Sequence, residues 1–210
     1  MSGRGTFITF EGLEGVGKST QLARAQRWLE DHGREVLASR EPGGTPLAEA
    51  IRALVLGARA EPVSPEAELL LMCAARAVHT ANRIRPALER GACVLCDRYH
   101  DATYAYQGGG RGVPAAEITA LCDLAQRSLV PDLTVLLDAP VEIALARARD
   151  RGGGGDRIEA ESRGFFERVR AAYLERARRE PGRIRVVDAS VGVEAVAAAV
   201  ARVLEETMGG

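Results

Sequence analysis

The sequence predicts an α/β fold: a five-stranded parallel sheet with helices on both faces, three layers in all. Short runs rich in β-branched and aromatic residues alternate with longer helical periodicities along the chain, the pattern a parallel sheet with crossover helices requires. Three of the strand runs end on an acid, Asp97, Asp138 and Asp188, and open parallel sheets bind ligands outside those carboxyl ends. A glycine-rich turn joins the first strand to the first helix. At 210 residues and 46% hydrophobic content, the chain holds enough apolar material for one packed domain over 1–210.

The elements follow in order. Residues 6–10 alternate and favour β structure, so they read as the first strand. From 18 to 32 the period turns helical, with Leu22, Ala25, Trp28 and Leu29 on one stripe and Gly33 as terminator. Residues 35–39 form a second strand, and Glu41-Pro42-Gly43-Gly44 reads as a loop. Helices are predicted over 46–56 and 65–88, the second ended or kinked by Pro86. Residues 92–96 are an apolar strand. The run Gln107-Gly108-Gly109-Gly110-Arg111-Gly112 reads as a flexible loop. Then come a helix over 115–128, a strand over 133–137 and a helix over 141–151 broken by Gly152–Gly155, a run expected to be mobile. An amphipathic helix over 158–180, a strand over 184–187 and a helix over 193–208 complete the chain.

Composition excludes several classes. The formal net charge is −1, without the basic excess of a protein that grips a duplex through its phosphates, so no nucleic-acid partner is expected. No run of 18 apolar residues exists, and no membrane partner is expected. The opening Met1-Ser2-Gly3-Arg4-Gly5 lacks the apolar stretch of a secretory signal, which points to the cytoplasm. Cys73, Cys93, Cys96 and Cys122 are too few for a disulfide framework. Cys93 and Cys96 lie three apart in a strand, where they face opposite ways and cannot share one metal ion. Buried thiols in a reducing compartment are the reading that remains.

Lys18 is the only lysine among 28 cationic residues. It belongs to Gly12-Leu13-Glu14-Gly15-Val16-Gly17-Lys18-Ser19, which fits G-x-x-x-x-G-K-[ST] at every fixed position, between a predicted strand and a predicted helix. Glycines let successive N–H groups converge on a phosphate, and the helix N-terminus adds partial positive charge. Lys18 reaches the outer phosphates, and the Ser19 hydroxyl suits Mg²⁺. Residues 12–20, ending on Thr20, are therefore the expected ATP cradle: a phosphate-loop nucleoside triphosphatase or kinase. A guanine switch is disfavoured, because its Asn-Lys-x-Asp motif needs a second lysine.

Tyr99, Tyr104 and Tyr106 cluster directly after Asp97-Arg98, a setting that suits a phosphorylated ligand carrying a ring or, equally, the edge of a core. With Phe10-Glu11-Gly12-Leu13-Glu14-Gly15, Arg40-Glu41-Pro42-Gly43-Gly44-Thr45, Asp97-Arg98-Tyr99, Ala105-Tyr106-Gln107-Gly108-Gly109-Gly110-Arg111-Gly112 and Asp156-Arg157-Ile158-Glu159 in this order, the chain resembles bacterial thymidylate kinases over nearly its whole length. The resemblance implies transfer of the γ-phosphoryl of ATP to dTMP with Mg²⁺, in dTTP biosynthesis, by a homodimer. It implies Lys18, Asp97, Arg98 and a flap arginine as catalytic residues, with Ser19 and Asp97 at the metal. Glu14 would meet the sugar 3′-hydroxyl, Arg98 the dTMP phosphate, Arg76 and Thr103 the base, and Tyr106 the sugar C2′. Arg40, Pro42 and Gln107 complete the substrate residues. Met72 stands where the family has a stacking phenylalanine, and its thioether packs on a ring without flat stacking.

The flap, or LID, spans about 147–159 and is rich in arginine, while Gly15 occupies the loop position where a second family design carries a basic residue. The resemblance is thus to the design that supplies its catalytic arginine from the flap. Arg151 is the expected residue, with Arg147, Arg149 and Arg157 as alternatives. Another nucleotide kinase, or an ATPase stimulated by nucleic acid, are the competing readings.

Overall fold

The structure, a computed structural model, describes residues 4–57, 60–150 and 157–208. Five strands form one parallel sheet: β1 (Phe7–Glu11), β2 (Val36–Arg40), β3 (Cys93–Asp97), β4 (Leu133–Asp138) and β5 (Ile184–Asp188). Their order is β2-β3-β1-β4-β5, so β1 is central and pairs Phe10 with Asp97 on β3 and Glu11 with Leu136 on β4. The helices are α1 (Lys18–Asp31), α2 (Pro46–Leu56), α3 (Pro65–His79), α4 (Arg85–Glu89), α5 (His100–Thr103), α6 (Ala115–Gln126), α7 (Val141–Asp150), α8 (Arg163–Arg179) and α9 (Val193–Met208). The predicted fold class is the observed one, and the strands run about one residue later than periodicity placed them.

Strand alternation divides the core. Ile8, Phe10, Cys93 and Leu95 pack with side chains of α1, α8 and α9, whereas Phe7, Val94 and Cys96 pack against Ile84, Ala87 and Leu88. Cys93 and Cys96 thus lie in different apolar clusters, which excludes a shared ion. Helix starts follow side-chain chemistry: Thr45 and Ser64 accept from the N–H groups of Ala48 and Ala67, each just before a proline at the first helical turn.

Three predicted elements change. The long helix does not end at Pro86; a π turn over Thr80–Ile84, in which the Arg85 N–H reaches the Thr80 carbonyl, carries it into α4. The helix expected from 158 starts at Arg163, because Ser162 caps it at the Phe165 N–H. The run expected to be a flexible loop at 107–112 is instead mostly a π-helical segment, Tyr104–Gly110. Its glycines serve close packing. A Cβ on Gly109 would lie 2.6 Å from the Ala172 Cβ, and one on Gly110 would lie 2.5 Å from the Phe165 ring, both on α8. Gly152–Gly155, Arg151 and Asp156 lie outside the described residues.

Candidate active site

The phosphate loop leaves β1 at Gly12 and enters α1 at Lys18. Gly15 and Gly17 hold φ of 80° and 92°, which L side chains rarely adopt. Gly15 is doubly constrained, since a Cβ there would sit 2.0 Å from the Ala144 carbonyl oxygen of α7. No side chain caps α1, so its first N–H groups face the loop cavity as an anion site. The Lys18 amine is buried and donates to the carbonyls of Leu13 at 2.8 Å and Gly12 at 3.3 Å. Burial and the nearby Arg98 charge lower its pKa, opposed by Glu14 and Asp97. Ser19 and Thr20 follow at the exposed start of the helix.

Across the C-terminal edge of the sheet stands Arg98, directly after β3. Its backbone is left-handed, with φ 70°. Its side chain is nearly buried and fully engaged. Nη1 donates to the Gly12 carbonyl at 2.9 Å and the Tyr173 hydroxyl at 3.0 Å; Nη2 donates to Glu14 at 2.6 Å and the Tyr106 hydroxyl at 3.1 Å. The guanidinium also lies 4.8 Å from the Tyr106 ring centre. Glu14 Oε1 is 3.9 Å from the Lys18 amine as well, so one carboxylate spans both cations. Burial pushes the Tyr106 hydroxyl pKa upward, keeping it a neutral hydrogen-bonding group.

Beside Glu14, Arg98 and Tyr106 lies an open cleft. Of the predicted substrate residues, Glu14, Pro42, Met72, Arg98, Tyr106 and Gln107 line it. Thr103 and Gln107 are fully buried, and the Thr103 hydroxyl and the Gln107 carbonyl oxygen have no hydrogen-bond partner. Such atoms gain most from a ligand that supplies donors and acceptors. Arg40, Arg76 and Thr103 are not among the lining residues, Thr103 sitting directly after Ala102, which is. Arg40 is exposed and pairs with Glu49 at 3.1 Å. Arg76 is 1% exposed and bonds Glu41 at 2.7 Å, the Tyr99 carbonyl at 3.1 Å and the Cys122 sulfur at 3.6 Å. Arg52 and Leu56 of α2, with Ile158 and Glu159 at the end of the flap, also line the cleft. Ile158 and Glu159 belong to the Asp156-Arg157-Ile158-Glu159 motif, whereas Arg52 and Leu56 carry no motif.

Asp97 ends β3 beside the phosphate loop, and its buried Oδ1 has no hydrogen-bond partner. A hard carboxylate oxygen so placed, with the Ser19 hydroxyl at the start of α1, fits the donor set of Mg²⁺ completed by phosphates and water. Among the described residues no group of three or more His, Cys, Asp or Glu forms a metal cluster of its own. Of the arginines around the flap, Arg147 donates to the carbonyls of Ala189 and Ser190, and Arg157 bonds Glu68 at 2.5 Å and the Val55 carbonyl at 3.1 Å. Arg149 lines a hollow next to Glu14. Arg151 lies outside the described residues.

A phosphate loop in contact with a nearly buried arginine, both beside one cleft at the carboxyl edge of a five-stranded parallel sheet, defines a phosphate-loop kinase of nucleoside monophosphates. The family model described as thymidylate kinase matches residues 10–200. The chain is 56% identical over 205 residues to the thymidylate kinase of Alkalilimnicola ehrlichii, covering 98% of this chain and 93% of that one. It is also 56% identical over 205 residues to that of Chromohalobacter salexigens, covering 97% of each. The crystal structure of thymidylate kinase from Ehrlichia chaffeensis superposes with a TM-score of 0.78 at 32% identity, covering 96% of this chain and 99% of that one. The chain belongs to the thymidylate kinase family, and it is a nucleoside monophosphate kinase that phosphorylates dTMP.

Proposed function

We propose that this chain transfers the γ-phosphoryl of ATP to dTMP through Lys18, Arg98, Asp97 and a flap arginine. One observation carries the reading: Glu14 binds Arg98 at 2.6 Å and lies 3.9 Å from Lys18, so two phosphate-seeking cations stand one side chain apart. Direct transfer between two phosphates needs that spacing.

An oxygen of the dTMP phosphate attacks the γ-phosphorus in line. That oxygen is already anionic, so no general base is required, and catalysis is positioning plus charge neutralisation. Residues 12–20 cradle the triphosphate. Arg98 holds the acceptor phosphate by its fork of N–H donors. Ser19 and Asp97 would hold Mg²⁺, which when bound offsets charge on the phosphates. Glu14 takes the sugar hydroxyl, and Tyr106, stacked against Arg98, crowds C2′. Thr103 and Gln107 offer their unpartnered atoms to the pyrimidine edge, Pro42 and Met72 cover its faces, and Arg76 supports that end of the site from Glu41. Arg40 acts through its own pair with Glu49 at the rim. A side chain at position 15 would collide with α7, which supports a transition-state cation from the flap. Arg151 is our assignment, with Arg149 the neighbouring alternative, because Arg149 is exposed and, among the described residues, bonds only its own helix at the Leu145 carbonyl, whereas Arg147 and Arg157 are tied to other elements.

A homodimer through α3 and α6 belongs to the same proposal, supported by Leu70 and Leu124, which are 54% and 76% exposed beside a groove between those helices. Four buried free thiols support a cytoplasmic setting, and no described helix is long and apolar enough to cross a membrane. The test is an acceptor panel of dTMP, dUMP, CMP, UMP, AMP and GMP with labelled ATP. We expect dTMP first and dUMP second, since a pocket methyl is worth roughly 1–3 kcal/mol. Preference for a purine or cytosine nucleotide would overturn the assignment.

A further inference from the structure

We propose that Glu11, the last residue of β1, is the positioning residue of the acceptor clamp: it locks Arg98 through the Tyr99 backbone and the Tyr173 hydroxyl. The inference rests on the reading of Arg98 as the group that holds the dTMP phosphate.

Arg98 occupies a backbone region that non-glycine residues avoid, with φ 70°, and such a conformation persists only where its surroundings over-determine it. Here the residues doing so are consecutive. The Arg98 N–H donates to the Phe10 carbonyl at 2.9 Å. The next N–H, that of Tyr99, donates to Glu11 Oε1 at 2.7 Å. The Arg98 guanidinium donates to the Gly12 carbonyl at 2.9 Å. Residues 10, 11 and 12 thus grip Arg98 at its backbone, at the peptide that follows and at its side chain, immediately before the loop that cradles the donor. Glu11 acts a second time at a distance. Tyr173 on α8 donates its O–H to Glu11 Oε2 at 2.7 Å and accepts from Arg98 Nη1 at 3.0 Å. The carboxylate therefore fixes which way the hydroxyl points and leaves its lone pairs to the guanidinium.

The chemistry requires the ionised carboxylate, the form that prevails above about pH 7, where the kinetics are to be run. Both of its oxygens then accept, and both contacts are donors aimed at it. An amide accepts at one oxygen only, so Glu11→Gln must set an N–H₂ against the Tyr99 N–H or against the Tyr173 O–H. Glu11 is fully buried and is not among the residues that line the cleft, so it acts through Arg98 rather than on the substrate. Its arrangement also ties the two halves of the site together, because the strand that launches the phosphate loop is the strand that sets the arginine.

Steady-state kinetics of the full chain test this with Arg98→Ala, Glu11→Gln, Tyr173→Phe and the double variant Glu11→Gln/Arg98→Ala. Misplacing a clamp by an ångström costs up to on the order of 100-fold. We expect Glu11→Gln and Tyr173→Phe to raise KM for dTMP by about 10-fold, with KM for ATP moved by less than about twofold. The double variant should be no worse than Arg98→Ala alone, since Glu11 acts only through that side chain. Loss of folded protein lowers apparent kcat and moves neither KM, so a purely structural role gives a different signature. Unchanged KM for dTMP in both Glu11→Gln and Tyr173→Phe, or fully additive effects in the double variant, would overturn the proposal while leaving Arg98 as the clamp. Unchanged KM for dTMP in Arg98→Ala would remove the clamp itself and the proposal with it. If Glu11→Gln does not fold, Tyr173→Phe decides, because it deletes the relay hydroxyl alone.

Discussion

Glu11 and Asp101 are two buried carboxylates near the carboxyl end of the sheet, close enough to influence each other, and they have opposite electrostatics. Burial, reinforced by the Asp101 charge, pushes the Glu11 carboxyl up to about 7. Its direct donors are neutral, the Tyr99 N–H and the Tyr173 hydroxyl. Burial acts on Asp101 in the same direction, but His100, Arg183 and Arg176 outweigh it and hold that carboxyl well below the usual range. Asp101 meets Arg176 at 2.6 Å and Arg183 at 2.7 Å and 2.9 Å. The difference separates two uses of a buried charge. Asp101, paired directly with guanidiniums from α8 and from the residue before β5, is a rivet between elements. Glu11 leaves its guanidinium one hydroxyl away, so Arg98 stays directed toward the cleft.

The largest expected loss of stability comes from breaking the rivet. Asp101→Ala takes the buried carboxylate from two partly buried guanidiniums that then keep Glu180 as their remaining carboxylate, and should cost roughly 3 kcal/mol of stability, measured by urea unfolding, while the KM values of the remaining folded enzyme stay near wild type. A shift in KM for dTMP as large as that of the Arg98 variant would erase the distinction between the clusters. Next, Lys18→Met should leave the unfolding midpoint within the range of surface substitutions yet lower kcat by at least about 10³-fold, near 4 kcal/mol of transition-state stabilisation. Full turnover in that variant would dissolve the catalytic side of the comparison.

The third prediction concerns pH. The folded pKa of Glu11 is raised from 4.5 to about 7, so its contribution to stability is complete below 4.5 and is lost as pH rises toward 7. The folded pKa of His100 is lowered by burial from 6.5 to about 4, so its contribution is present above 6.5 and is lost as pH falls toward 4. Between about pH 5 and 6.5 the two oppose each other. Glu11→Gln removes the first and should make stability rise more steeply with pH there, by up to about 1.4 kcal/mol per pH unit. Urea midpoints at four pH values check it; an unchanged slope would mean that Glu11 is ionised throughout. The smallest expected effect is that of Thr9→Val. It deletes a buried hydroxyl 2.8 Å from that of Thr134, which also bonds Arg183, and should cost about 1 kcal/mol with normal kinetics.

Legibility followed contiguity. The phosphate-loop motif is eight adjacent residues, 12–19, with a fixed glycine pattern, and it is legible in the sequence complete. The cleft is assembled from α2, α3, the end of β3, the π-helical segment and the end of the flap, and only fragments of it could be read. In the sequence Glu11 stands only within the Phe10–Gly15 motif; its contact with Tyr173 spans 162 positions. The Gly108–Gly110 run misled because glycine signals both freedom and close approach, and only the facing helix shows which applies. Arg76 was expected at the base, whereas the structure binds three of its nitrogens to Glu41, Tyr99 and Cys122.

By itself the sequence determined the α/β class, the order of its elements, the phosphate loop and, through the order of its motifs, the family. These are written in local period and spacing, which steric and hydrogen-bonding rules translate directly. Tertiary structure alone decided how Arg98 is held, which carboxylate is a rivet and which a lever, and which walls the cleft has. Those depend on distances between residues far apart in the chain, and burial then sets the energy of each charge according to the neighbours it acquires.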